Sequence, residues 1–124
     1  MTSERQLIQG LFKKLCGEPK HSFPQPRESL NAPKKPGAYI IRKDRIVLHV
    51  GRTVRGKEGL RQRLNNHLHG SSSFTEKYLK GKGSRLRKKG YTYQCLTEKD
   101  DRRRALLEAY AVGTLCPKHV GLGE

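Results

Sequence analysis

Nothing in this chain is apolar for long enough to cross a bilayer. No run approaches the ~20 consecutive apolar residues that a spanning helix needs, and no basic n-region followed by an apolar h-region opens the sequence. A membrane role is therefore not expected. Cysteine is scarce as well. Cys16, Cys95 and Cys116 are odd in number and far apart, so they offer neither a Cys-x-x-Cys zinc pair nor a disulfide framework. All three sit in apolar contexts, which predicts buried, inert thiols and a reducing, cytoplasmic setting. Apolar residues make up 33% of the 124, enough for one thin core. Acidic residues are few: 11 Asp and Glu face 27 Lys and Arg, a net charge of +16. That is far more than solubility requires, and it opposes compaction by self-repulsion. A polyanionic partner, nucleic acid first, is the expected reason. A small basic protein with no chemistry carries the same signature, so charge alone does not decide between binding and catalysis.

The helical and extended segments follow from periodicity. Ser3 to Cys16 predicts a helix, with a capping box at Ser3 and Gln6 and leucines at 7, 11 and 15. Residues 17–36 hold five of the six prolines and no sustained period, which predicts an irregular surface connector. Strands are expected at 38–42, 46–50 and 91–96. A polar loop should follow at 52–59, then a helix at 58–68 with Leu60, Leu64 and Leu68 as its buried stripe. A serine of the 71–73 run is expected to cap a short helix at 74–79, and 80–90 reads as a basic loop or short helix. A last helix runs from Asp100 or Asp101 to about Leu115, with Leu106, Leu107, Tyr110 and Ala111 inward, and Pro117 stops it. The order predicts an α+β fold: a small three-stranded antiparallel sheet flanked by helices. Residues 1–36 are expected to form the first helix and connector, and 37–124 the main domain, as one compact unit.

The two central strands carry the most specific signal. Gly37-Ala38-Tyr39 and His49-Val50-Gly51 are short apolar runs, each with one glycine and one ring that bears a polar group. Arg63 and His67 follow at i and i+4 on one helix face. Glu108 lies within the apolar run of the last helix, with Pro117 nine residues on. This ordered set resembles the GIY-YIG nuclease family over roughly residues 36–120, and the three-stranded sandwich expected from the pattern is the family's kind of fold.

The resemblance implies a metal-dependent endonuclease that cleaves DNA phosphodiester bonds by water attack. Tyr39 would contact the attacking water. Arg63 would hold a phosphate through its fork of donors. His67 would orient the water or protonate the leaving oxygen. Glu108 would be the lone metal ligand, suited to Mg²⁺ or Mn²⁺, because Mg²⁺ keeps most of its waters. Two positions depart from the family pattern. His49 stands where the second tripeptide usually opens with Tyr, and Val120, beside His119, stands where an Asn is common. The basic residues Arg52, Arg55, Lys57, Lys82, Arg85, Arg87 and Lys88 are expected to grip the backbone of DNA, or of RNA. A partner protein or a homodimer is the expected source of any specificity. The rival reading is a non-catalytic basic nucleic-acid-binding module on a nuclease-like fold.

Strand register decides whether Tyr39 and His49 share a face. A three-residue loop at Lys43-Asp44-Arg45 pairs Tyr39 with His49 on one face, whereas a turn of Asp44-Arg45 pairs Tyr39 with Val50. The three-residue loop is the expectation, because a joint site requires it.

Overall fold

The capping box at Ser3 starts the first helix as expected: Ser3 Oγ accepts from Gln6 N, and Gln6 Oε1 accepts from Ser3 N. A computed structural model describes residues 2–54 and 58–121 of the chain. Its α-helices are α1 (Glu4–Gly17), α2 (Gly59–Leu68) and α3 (Asp101–Leu115), and two short helical turns, Phe74–Tyr78 and Gly83–Arg87, lie where the short helix and the basic loop or short helix were expected. Its strands are β1 (His21–Ser22), β2 (Gly37–Lys43), β3 (Ile46–Arg52) and β4 (Tyr91–Thr97). Among these elements no helix is long and apolar enough to cross a membrane.

The sheet is antiparallel throughout and has four strands in the order β1-β4-β2-β3, one more than the sequence suggested. The extra strand comes from the connector, whose His21 and Ser22 pair with Tyr93 and Thr92 of β4. Two residues are too few to show a period, which is why β1 was invisible in the pattern. The connector is also less superficial than its prolines implied. Phe23, Leu30 and Ala32 are buried in the core.

The sheet has a layer on each face. Ala38, Ile40 and Val50 pack with Leu15 of α1 and with Leu107 and Ala111 of α3. Tyr39, Ile41, Leu48 and Tyr93 face the other way, against the leucine stripe of α2, Phe74, Leu79 and Leu86. Burial of these apolar side chains is the main stabilising term, at roughly 25 cal/mol per Å² removed from water. In α3, Leu107 and Ala111 are inward, while Leu106 and Tyr110 are only half-buried and line a surface depression shared with α1. The cysteine expectation also needs correction. Cys16 and Cys95 are half-buried, and Cys116 is exposed at the C-cap of α3.

The hairpin between β2 and β3 departs from both readings of its register. The turn is the two residues Asp44-Arg45, not three, with Lys43 opposite Ile46 and Arg42 opposite Val47. Beyond that the register slips, and Ile41 lies opposite His49 and Tyr39 opposite Gly51. Leu48 is the inserted residue of a β-bulge. The bulge reverses the parity of β3, so Leu48 and His49 both turn toward the α2 face. Tyr39 and His49 therefore share a face, though they are not paired.

Candidate active site

Tyr39 sits at the centre of β2 with no exposed surface. Its hydroxyl crosses the neighbouring strand at Gly51, where any Cβ would collide with the Tyr39 hydroxyl and ring. Gly37 answers a similar need, since a Cβ there would strike the Leu96 carbonyl and Leu60. The glycines of the two tripeptides are thus fixed by close approach rather than by backbone freedom.

The Tyr39 hydroxyl lies 2.5 Å from His67 Nε2. Burial drives the phenol's pKa well above its ordinary value. Arg63, beside the hydroxyl, pulls it part of the way back, and Glu108 pushes it up. The resting group is a phenol, not a phenolate.

His67 is wholly buried, with its other ring nitrogen 2.6 Å from Ser72 Oγ. Burial, followed by the field of His49, Arg63 and His119, holds its pKa well below the usual histidine value. The sequence led to the expectation of a ring facing the substrate, whereas the structure encloses it. Both ring nitrogens are taken by protein groups, the Tyr39 hydroxyl and Ser72 Oγ.

His49 stacks on Phe74 with ring centroids 4.8 Å apart, and its Nδ1 is 3.2 Å from Nδ1 of His119. Burial first, then His119 and Arg63, lower its pKa to about 3. His49 is therefore neutral at ordinary pH and is not a general acid poised near 7. His119 reaches it because Lys118 N and His119 N donate to the carbonyls of Val47 and Leu48, which lays residues 118–119 along the edge of β3. Val120 is exposed.

Arg63 also lines a surface depression of about 240 Å³, together with Arg52, Val54, Gly59, Gln62 and Asn66. Two larger hollows between α1 and α3, about 470 and 480 Å³, are lined by none of these residues. Glu108 comes from the opposite layer and meets Arg52, whose Nε donates to Glu108 Oε1 at 3.1 Å. Both side chains are about 30% exposed. Among the described residues no group of three or more His, Cys, Asp and Glu is arranged to hold a metal ion. The donor set fits a hard cation held by one carboxylate, with water and phosphate oxygens for the rest, and not one held in a protein cage.

Among the expected backbone-gripping residues, Lys82 and Lys88 are exposed and Arg85 is half-exposed. Arg52 is engaged with Glu108. Arg87 donates through Nη1 to the Pro24 carbonyl at 2.6 Å, which ties down the connector. Arg55 and Lys57 lie outside the described residues.

Sequence reasoning missed Ser72, Thr75 and Phe74 as neighbours of the site. Ser72 was legible only as one of several candidate caps. It does cap, since its Oγ accepts from Thr75 N, but the same oxygen also meets His67. His119 stood out only as the neighbour of Val120.

No family model matches the sequence, and no curated protein matches it. Among solved structures, the fold is similar to the GIY-YIG N-terminal endonuclease domain of UvrC from Thermotoga maritima, bound to its catalytic divalent cation, magnesium. That likeness has a TM-score of 0.53 at 22% identity and covers 73% of this chain and 89% of that one. A point mutant of the same domain, also bound to its divalent cation, gives a TM-score of 0.54 at 21% identity, with 73% and 88% covered. The chain has a GIY-YIG-like fold.

Proposed function

We propose that this GIY-YIG-like chain is a metal-dependent endonuclease that cleaves DNA by water attack on a phosphodiester. One observation carries the reading: Tyr39 with His67, Arg63 and Glu108 come together from β2, α2 and α3, and Arg63 also lines an open depression. Residues 37–124 would supply the catalytic unit, and residues 1–36 would complete its core. RNA offers the same phosphates, and a partner protein or a second copy would be the source of any site preference.

Glu108 would hold magnesium or manganese, which supplies a positive charge for the phosphate and leaving oxygens. Arg63 takes a non-bridging oxygen and stabilises the charge added as the water oxygen bonds to phosphorus. The bond from phosphorus to the leaving oxygen breaks, and that oxygen takes a proton from water in the depression. Tyr39 receives the proton of the attacking water as its own passes to His67 Nε2. The buried hydroxyl is reached by water only after a side chain moves. Arg63 both adjoins that hydroxyl and lines the depression. Its transfer onto a bound phosphate would open the hydroxyl.

The closed hydroxyl and the Arg52–Glu108 pair also favour the rival reading, a fold kept for binding alone. Magnesium-dependent nicking of supercoiled plasmid by the purified chain, lost in Glu108→Ala, supports the enzyme. Binding without nicking supports the module.

A further inference from the structure

The hydrogen bonds beneath Tyr39 form a chain in which every proton can be placed by counting. Thr75 Oγ1 is bonded to the His67 carbonyl, which only accepts, so the Thr75 hydroxyl donates there. Ser72 Oγ is 3.0 Å from Thr75 Oγ1, whose proton is already committed, so Ser72 donates to it. Ser72 Oγ also accepts from Thr75 N at 3.1 Å. A hydroxyl has one proton and room for two acceptances. At the 2.6 Å contact with His67 Nδ1, Ser72 therefore has no proton left to give, and the imidazole must donate. A neutral ring protonated at Nδ1 has a bare Nε2, and the Tyr39 hydroxyl donates to it across 2.5 Å.

We propose that Ser72 and Thr75 are positioning residues that lock the His67 imidazole in its Nδ1–H form, so that Nε2 accepts the Tyr39 proton. The function of the lock rests on the nuclease reading, but its existence does not. Ser72, Thr75, His67 and Tyr39 are all buried, so bulk water does not compete for these bonds. The low pKa of His67, set first by burial, keeps the resting ring neutral, as the counting requires. When the proton of the attacking water reaches the Tyr39 oxygen, the phenol proton moves to Nε2. The ring becomes an imidazolium that still donates from Nδ1 to Ser72. The opposite tautomer would present an N–H to Tyr39 and block that transfer.

The ring is read directly by ¹⁵N–¹H correlation of the labelled protein at neutral pH. The lock requires a protonated Nδ1 and a bare Nε2 in the wild type, and a His67 protonated at Nε2 would overturn it. Thr75→Val removes the acceptor of the Ser72 proton while keeping the side-chain shape. Ser72 can then donate to Nδ1, and the tautomer should shift toward Nε2–H. Ser72→Ala should shift it likewise, and Ser72→Thr should restore it. An unchanged His67 spectrum in folded Thr75→Val would contradict the proposal. Under the nuclease reading, single-turnover cleavage should fall on the order of 10-fold or more in Thr75→Val, with DNA affinity unchanged and recovery in Ser72→Thr, in line with a positioned proton-transfer group. The expected tautomer with no cleavage in any variant would uphold the lock while removing the nuclease reading.

Discussion

Arg52 Nε stands 3.1 Å from Glu108 Oε1, so the Glu108 carboxylate is held by a cation of the chain itself. Replacing it with an amide removes a negative charge from the surface proposed to meet phosphates and releases the Arg52 guanidinium. Glu108→Gln should therefore bind duplex DNA as tightly as the wild type or slightly more tightly. Fluorescence anisotropy in EDTA measures this. A marked loss of affinity would mean that Glu108 contacts nucleic acid rather than a metal.

Tyr39→Phe removes the hydroxyl and leaves the buried His67 Nε2 without its donor. Cleavage should fall on the order of 10²-fold or more, the scale of a positioned proton-transfer group. Stability should drop by about 1–3 kcal/mol, the cost of orphaning a buried polar atom. Single-turnover rates and urea midpoints on the same preparations separate the two effects. A phenylalanine variant with full activity would reduce Tyr39 to a core residue.

Gly51→Ala places a methyl group against the Tyr39 hydroxyl. Overpacking of this kind costs typically about 1–3 kcal/mol. Activity should fall further than Gly10→Ala, where a Cβ meets nothing within 4 Å. Equal stability and activity of the two variants would show that the second tripeptide does not need its glycine for Tyr39.

His49 carries a pH prediction that differs from the one its residue type suggests. Its folded pKa, about 3, lies below the unfolded value, so the folded state favours the neutral ring. The resulting stability is fully present above the unfolded pKa near 6.5. It is lost as pH falls from there toward about 3, because the unfolded chain binds the proton first. His49→Tyr should lessen the acid-side loss of stability and leave the pH–rate profile between roughly pH 6 and 8 unchanged, since a ring so shifted does not titrate there. Thermal melts across pH 4–8 test the first part. A titration near neutrality that vanishes in the variant would contradict the second.

Affinity for duplex should weaken steeply with salt. Four or more phosphate contacts at roughly −0.9 each give a slope of log K against log salt steeper than about −3.5. Joint replacement of Lys82, Arg85 and Lys88 with Ala should flatten it alike on different sequences, because phosphate contacts read no bases. Arg87→Ala should act mainly on stability, since its guanidinium holds the Pro24 carbonyl. A flat salt dependence in the wild type would remove nucleic acid as the reason for the charge.

The sequence made α1 and α3 legible because each had a period and a cap, with Ser3 and Gln6 opening α1 and Asp100 capping α3 by accepting from Arg103 N, while α2 was legible from its leucine stripe alone. Tyr39, Arg63, His67 and Glu108 could be picked out because their spacing along the chain follows a recognisable order. The bulge at Leu48 was not legible, since one inserted residue leaves no mark in an apolar run and yet reverses a strand's parity. Strand β1 was too short for any pattern. The burial of His67 was hidden for another reason: it depends on Ser72, Thr75 and Phe74, from a segment whose serines and glycine read as a breaker. Cys116 ended up exposed because Pro117 ends the helix just beyond it, and an apolar neighbourhood in sequence is not burial.

The most direct test is a magnesium titration of supercoiled plasmid relaxation by the wild type, Glu108→Gln and Tyr39→Phe at matched DNA occupancy. The wild type should convert supercoiled to open-circular DNA only with Mg²⁺ or Mn²⁺ present, Glu108→Gln should show no conversion, and Tyr39→Phe should be slowed on the order of 10²-fold or more. Equal conversion by all three proteins, or none by the wild type at any magnesium concentration, would contradict a catalytic site built on Tyr39 and Glu108.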